Sequence, residues 1–138
     1  MSDFRSQVTR RPRSKLENVV DLVALEGLPA PSAEYLAQTA RSHSAVAPTQ
    51  GGLRVALRLG YPGNEPASIA RALDAEIPEG DITFVAWRAH RSLHVIAETA
   101  CSLDQPKCEA CKVRSACDFH GVGTDPARRL GGLEPPAG

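Results

Sequence analysis

Residues 101–117, CSLDQPKCEACKVRSAC, contain every cysteine of the chain, at Cys101, Cys108, Cys111 and Cys117. The spacing reads C-x6-C-x2-C-x5-C. A cubane cluster needs four thiolates converging on one small object, and a compact loop with uneven spacers can supply them. Zinc also accepts four thiolates, but structural zinc sites usually present two tight pairs some distance apart. Only Cys108 and Cys111 form such a pair here. The spacing therefore favours a 4Fe-4S cluster on the four cysteines, with zinc as the alternative. Two disulfides would also use all four thiols. The N-terminal sequence MSDFRSQVTRRPRSK has no apolar run of the signal-peptide kind. A reducing, cytoplasmic setting is the expectation, and stable disulfides are rare there.

Outward from this loop the apolar residues recur at helical intervals. Leu16, Val19, Val20 and Val23 mark a first helix from Lys15, with Leu22 and Leu25 widening its face and Gly27 as its stop. Ser32 is the expected N-cap of a second helix to Ser42, with Tyr35, Leu36 and Thr39 on one face. A third spans Thr49 to Leu59 and ends at Gly60. Asn64 and Pro66 signal a fourth, carrying Ile69, Ala70, Leu73 and Ile77. Asp81 is the expected cap of a longer fifth helix to about Glu98, leading into the cysteines. Its β-branched residues would also suit a strand, but no partner strand is evident. The fold class is all-α: a small helical domain with a C-terminal 4Fe-4S cluster loop. Residues 15–120 form that domain, between a disordered basic arm (1–14) and a disordered tail (121–138) rich in Gly and Pro.

The chain has 138 residues, 16 basic and 16 acidic, so its formal net charge is zero. No global field draws it to nucleic acid. The charge is uneven, however: Arg5, Arg10, Arg11, Arg13 and Lys15 stand against Asp3 in the first fifteen residues. Such an arm can touch phosphate or simply be solvated. No stretch is apolar enough to cross a membrane. His90, His94 and Glu98 would share a helical stripe that could hold a second metal; a solvated polar face is the favoured reading.

The cysteine spacing, the preceding helix and the Pro106-Lys107 pair together resemble the cluster loop of the endonuclease III-like DNA glycosylases, in the helix-hairpin-helix superfamily. The segment Leu53–Gly60, LRVALRLG, is similar to that family's helix after its catalytic aspartate. The resemblance covers about residues 28–120. It implies a 4Fe-4S cluster on the four cysteines and contact with DNA, for which Lys107, Lys112 and Arg114 of the cysteine loop are the candidates; Arg10, Arg11 and Arg13 of the basic arm join them on their charge alone.

The chain departs from the family where the family does its chemistry. The phosphate-binding hairpin Leu-Pro-Gly-Val-Gly is matched by Leu28-Pro29-Ala30-Pro31-Ser32, which lacks both glycines, and Pro31 has no N–H to offer. Glu34 stands where the resemblance places the catalytic lysine, and Thr49 where it places the aspartate. A glycosylase needs such a carboxylate or amine to stabilise or attack the sugar. The domain forming the far wall of a base-flipping cleft has no counterpart before Leu28. The expected function is thus a non-catalytic cluster protein, a weak DNA-binding or DNA-repair accessory module. Two other readings stay open. One is an active glycosylase or lyase completed by a partner chain, the other a structural or protein-interaction iron–sulfur subunit.

Overall fold

A computed structural model describes residues 13–77 and 82–130. Among them are five α-helices, three short 3-10 helices and no strand. The chain is all-α, and the β-branched residues of the fifth segment are helical. Arg10, Arg11 and the expected cap Asp81 lie outside the described residues.

Helix α1 (Lys15–Val23) starts in a reciprocal capping box: Ser14 Oγ accepts the Glu17 N–H at 3.1 Å, and the Glu17 carboxylate accepts the Ser14 N–H at 3.0 Å. Two otherwise open backbone donors are satisfied. Leu16, Val19, Val20 and Val23 are buried on one face, while Leu22 is exposed. The helix ends at Ala24, in the left-handed region at φ 52°, before the glycine expected to stop it. Helix α2 (Ala33–Ser42) is capped as expected by Ser32, whose Oγ accepts the Tyr35 N–H. Only Tyr35 turns inward; Leu36, expected on the same face, is exposed because α2 lies at the periphery.

Helix α3 (Gln50–Leu59) is the centre of the molecule, and Leu53, Val55, Ala56, Leu57, Arg58 and Leu59 are all buried. A helix apolar on nearly every side has neighbours on nearly every side. It packs most extensively against α5 (Ile82–Thr99), which presents Ala86, Ala89, Leu93, Ile96 and Ala97 to the core. Gly51 permits the approach: a Cβ there would stand 2.8 Å from the Ala97 Cβ. Helix α1 packs on the other side of α5. Helix α4 (Pro66–Asp74) starts with Pro66 in its first turn, where the missing N–H costs nothing. It ends at Asp74, short of Ile77, which is half-buried against the core in the following turn. Asp74 Oδ1 accepts from Ser44 Oγ and the Val46 N–H, which fixes the loop before α3.

The expected disordered tail is corrected over its first part. Residues 121–130 carry a 3-10 helix, Pro126–Arg129, which packs on α3. Ala127 and Leu130 are buried, and the Asp125 carboxylate accepts the Ala127 N–H. Glycine and proline content suggested a loose chain, whereas two apolar anchors and one carboxylate hold it. Residues 131–138 lie outside the described residues.

Candidate metal centre

The cysteine segment leaves α5 through a tight turn, the Cys101 N–H donating to the Ile96 carbonyl at 2.8 Å. The Lys107 N–H reaches back to the Ala100 carbonyl at 2.7 Å and closes the 102–106 loop. Two 3-10 turns follow, Cys108–Ala110 and Arg114–Ala116, with Cys111 and Cys117 as their C-terminal caps. In such a turn side chains three apart eclipse, which suits Cys108 and Cys111 to share one side of the loop. Val113 is buried and pins the segment to the core. The Phe119 N–H then donates to the Arg58 carbonyl at 3.0 Å, returning the chain to the end of α3.

All four cysteines line one small cavity, walled by Val55, Leu59, Ile96 and Val113. Each sulfur-bearing residue is half-buried. Cys117 Sγ lies 3.1 Å from both the Arg58 and the Phe119 carbonyl oxygens. Burial pushes the Cys117 thiol up to about 11 and raises Cys111 as well. These sulfurs ionise only where a cation offsets the lost hydration. Gly121 holds φ +87°, and a Cβ there would come within 3.3 Å of Cys108 Sγ. The position suits glycine both for its backbone and for the room it leaves beside the thiol.

Arg58 is the residue that sequence reading missed. It is 1% exposed and donates to four groups around the loop. Nη1 donates to Cys101 Sγ at 3.2 Å and to the Ser102 carbonyl at 2.6 Å. Nη2 donates to the Leu103 carbonyl at 3.0 Å and to Asp125 Oδ2 at 2.6 Å, while Nε reaches Asp125 Oδ1 at 3.0 Å. Burial alone would loosen its proton, but the hydrogen bonds to Asp125 and Cys101 outweigh that and hold it more tightly than usual. Burial likewise opposes ionisation of Asp125, yet Arg58 keeps its carboxyl below the usual carboxylate range. One turn earlier, Arg54 Nε donates to the Cys101 carbonyl at 3.0 Å and Nη2 to the Ala97 carbonyl at 3.3 Å. It thereby supplies the cation that the C-terminal turn of α5 lacks in its own sequence. The legible signal was a pair of arginines four residues apart in an otherwise apolar helix.

The fit to a cluster rests on the donor set. Four sulfurs face one cavity, and a buried guanidinium stands beside Cys101 to balance negative charge. Among the described residues, no three His, Cys, Asp or Glu side chains are grouped closely enough to hold a single metal ion. The stripe of His90, His94 and Glu98 does not gather on one point. Nor is it simply solvated. His90 turns inward, its Nδ1 2.9 Å from the Ala47 carbonyl and 3.1 Å from that of Val46. His94 pairs with Glu98 at 2.6 Å.

Of the expected DNA contacts, Lys107, Lys112 and Arg114 are exposed on the cysteine loop. Arg13 is exposed beside α1 and paired with Asp21. Lys15 Nζ donates to the Leu59 carbonyl and lies 3.0 Å from Asp118 Oδ1. That contact seats the start of α1 beside the cysteine loop. Glu34 and Thr49, where the family's catalytic groups were expected, line a common groove away from the cysteines. Thr49 Oγ1 is engaged as the N-cap of α3, accepting the Gly52 N–H at 3.0 Å. Among the described residues no helix is long and apolar enough to cross a membrane. Compared with family models, curated proteins and solved structures, the chain matches none.

Proposed function

We propose that the chain is a non-catalytic 4Fe-4S protein, akin to the cluster domain of the endonuclease III-like glycosylases and serving as a weak DNA-binding or repair accessory module. The observation that carries this reading is the convergence of Cys101, Cys108, Cys111 and Cys117 on one small cavity. A polynuclear cluster spreads its ligands around a cube rather than around one atom. The spacing C-x6-C-x2-C-x5-C, with one tight pair instead of two, favours that donor set over tetrahedral zinc. When bound, the cluster supplies four metal–thiolate bonds that cross-link the loop. The chain's own part is to hold the ligands: Arg58 and Arg54 fix Cys101, Val113 anchors the middle of the loop, and the Arg58 carbonyl receives the returning chain at Phe119. Protein purified without oxygen is expected to be brown, with about four iron and four sulfide per chain. Stoichiometric zinc without sulfide would sink the cluster reading.

Catalysis does not fit the groove. Thr49, at the place the resemblance gives the aspartate, carries no charge and its hydroxyl is spent on capping α3, while the one acid in the groove, Glu34, stands where the resemblance places the lysine. Cleavage of an abasic duplex by the intact chain would overturn this point. The DNA role draws support from Lys107, Lys112 and Arg114, which stand exposed on the cysteine loop. Binding to duplex is expected to be weak, indifferent to sequence and steeply salt-dependent. Deleting residues 1–12 removes Arg5, Arg10 and Arg11 but keeps Ser14 and its capping box. It should lower the affinity and reduce the log–log salt slope by about two to three. A chain that fails to bind duplex at low salt has no DNA role, and a structural or protein-interaction subunit is then the better account.

A further inference from the structure

The groove between α2 and α5, bounded by the 47–50 segment, encloses about 530 Å³, within the range of small-molecule sites. Its floor is aromatic. Trp87 and His90 stack with centroids 5.6 Å apart and planes at 16°, and Tyr35 tilts against both at 4.8 Å. The two carbonyls at Nδ1 require a proton there, which leaves Nε2 of a neutral His90 as an acceptor.

The charges around this floor are mostly positive. Arg41 and Arg91 line it with one acid, Glu34, and His94 is held by Glu98. Arg41 donates only to the neutral Gln38 side chain, at 2.8 Å. The Arg91 guanidinium stands 6.0 Å from the Trp87 ring centroid. Among the described residues neither arginine has a carboxylate partner. Helix α3 opens on the same groove with no acid in its first turn, so its positive end adds to the field.

We propose that this groove binds a small phosphate monoester, its phosphate held by Arg41 and Arg91 and its organic body against Tyr35, Trp87 and His90. Guanidinium forks from two different helices suit a group offering oxygens in more than one plane, as a phosphate does and a flat carboxylate does not. The site is separate from the cysteine cavity and independent of what fills it. A long polyanion is disfavoured by the concave shape and by a net charge of zero over the chain.

Trp87 is the only tryptophan, so its emission reports the site directly. The full-length chain as purified is titrated with inorganic phosphate, ribose 5-phosphate, ribose and a short single-stranded oligonucleotide, followed by fluorescence and calorimetry. Ribose 5-phosphate is expected to give a saturable shift and heat, phosphate a weaker response and ribose none. Arg41→Gln, which leaves the Trp87 surroundings intact, should weaken ribose 5-phosphate about tenfold, and Arg91→Gln should do the same by calorimetry. No saturable response to either phosphate compound overturns the proposal. So does equal binding of ribose, unchanged affinity in both variants, or an oligonucleotide that binds more tightly than the monoester and is weakened by Arg41→Gln.

Discussion

Arg58→Met is expected to be the most damaging single substitution in the described part of the chain. The guanidinium joins three parts of the chain that share no hydrogen-bonded ladder: α3, the start of the cysteine loop and the 125–130 segment. Methionine fills similar space but leaves the Asp125 carboxylate and two loop carbonyls without their donor. Breaking a buried pair by removing one partner costs about 3–5 kcal/mol. Asp125 keeps some solvent contact, with 19% of its side chain exposed against 2% for Arg58, so the lower end applies. A loss of about 3 kcal/mol is a large share of a stability of roughly 5–15 kcal/mol. It would lower the melting point by about 10 °C. The double variant Arg58→Met with Asp125→Leu should recover part of the loss, since no orphan carboxylate remains. Denaturant unfolding of the parent, the single variants and the double variant measures this. An Arg58→Met variant within about 0.5 kcal/mol of the parent, the range of an ordinary surface change, would refute the role given to Arg58.

Cys108→Ser is expected to have the next largest effect, now through the proposed metal rather than through the helices. Cys108 opens the first 3-10 turn, where Gly121 packs beside its sulfur. Serine removes one thiolate while leaving the volume nearly unchanged, so packing alone predicts little change. If four thiolates hold a cluster, bound iron should fall well below that of the parent and the melting point should drop with it, because ligation energy is also folding energy. Hydrogen exchange should then rise across residues 101–130 and stay lower in α3 and α5, which pack most extensively on each other. Ser115→Ala, an exposed change in the same loop, is the matched control. Unchanged iron and melting point in Cys108→Ser would remove Cys108 from the ligand set.

The helices were legible in the chain because each is decided locally. Ser14, Ser32 and Thr49 stop the preceding backbone with side-chain oxygens, and valine and leucine at helical spacing choose the buried face. Short-range chemistry of this kind needs no knowledge of the partner. The four cysteines were legible for the same reason, as their spacing is a property of one loop.

What the sequence could not decide is which polar groups are buried. Arg58 and Arg54 look alike in LRVALRLG, yet Arg58 is sealed in the core while Arg54 caps α5 from outside. The difference arises from Asp125 and the cysteine loop, 67 and 43–45 residues away in the chain. The same long-range pairing converts residues 121–130 from an expected loose tail into a docked segment. It also takes His90 from an expected polar stripe into a ring cluster with Tyr35 and Trp87. A buried charge or imidazole is tolerated only where partners meet it. Those partners come from distant segments, so only the tertiary structure places them.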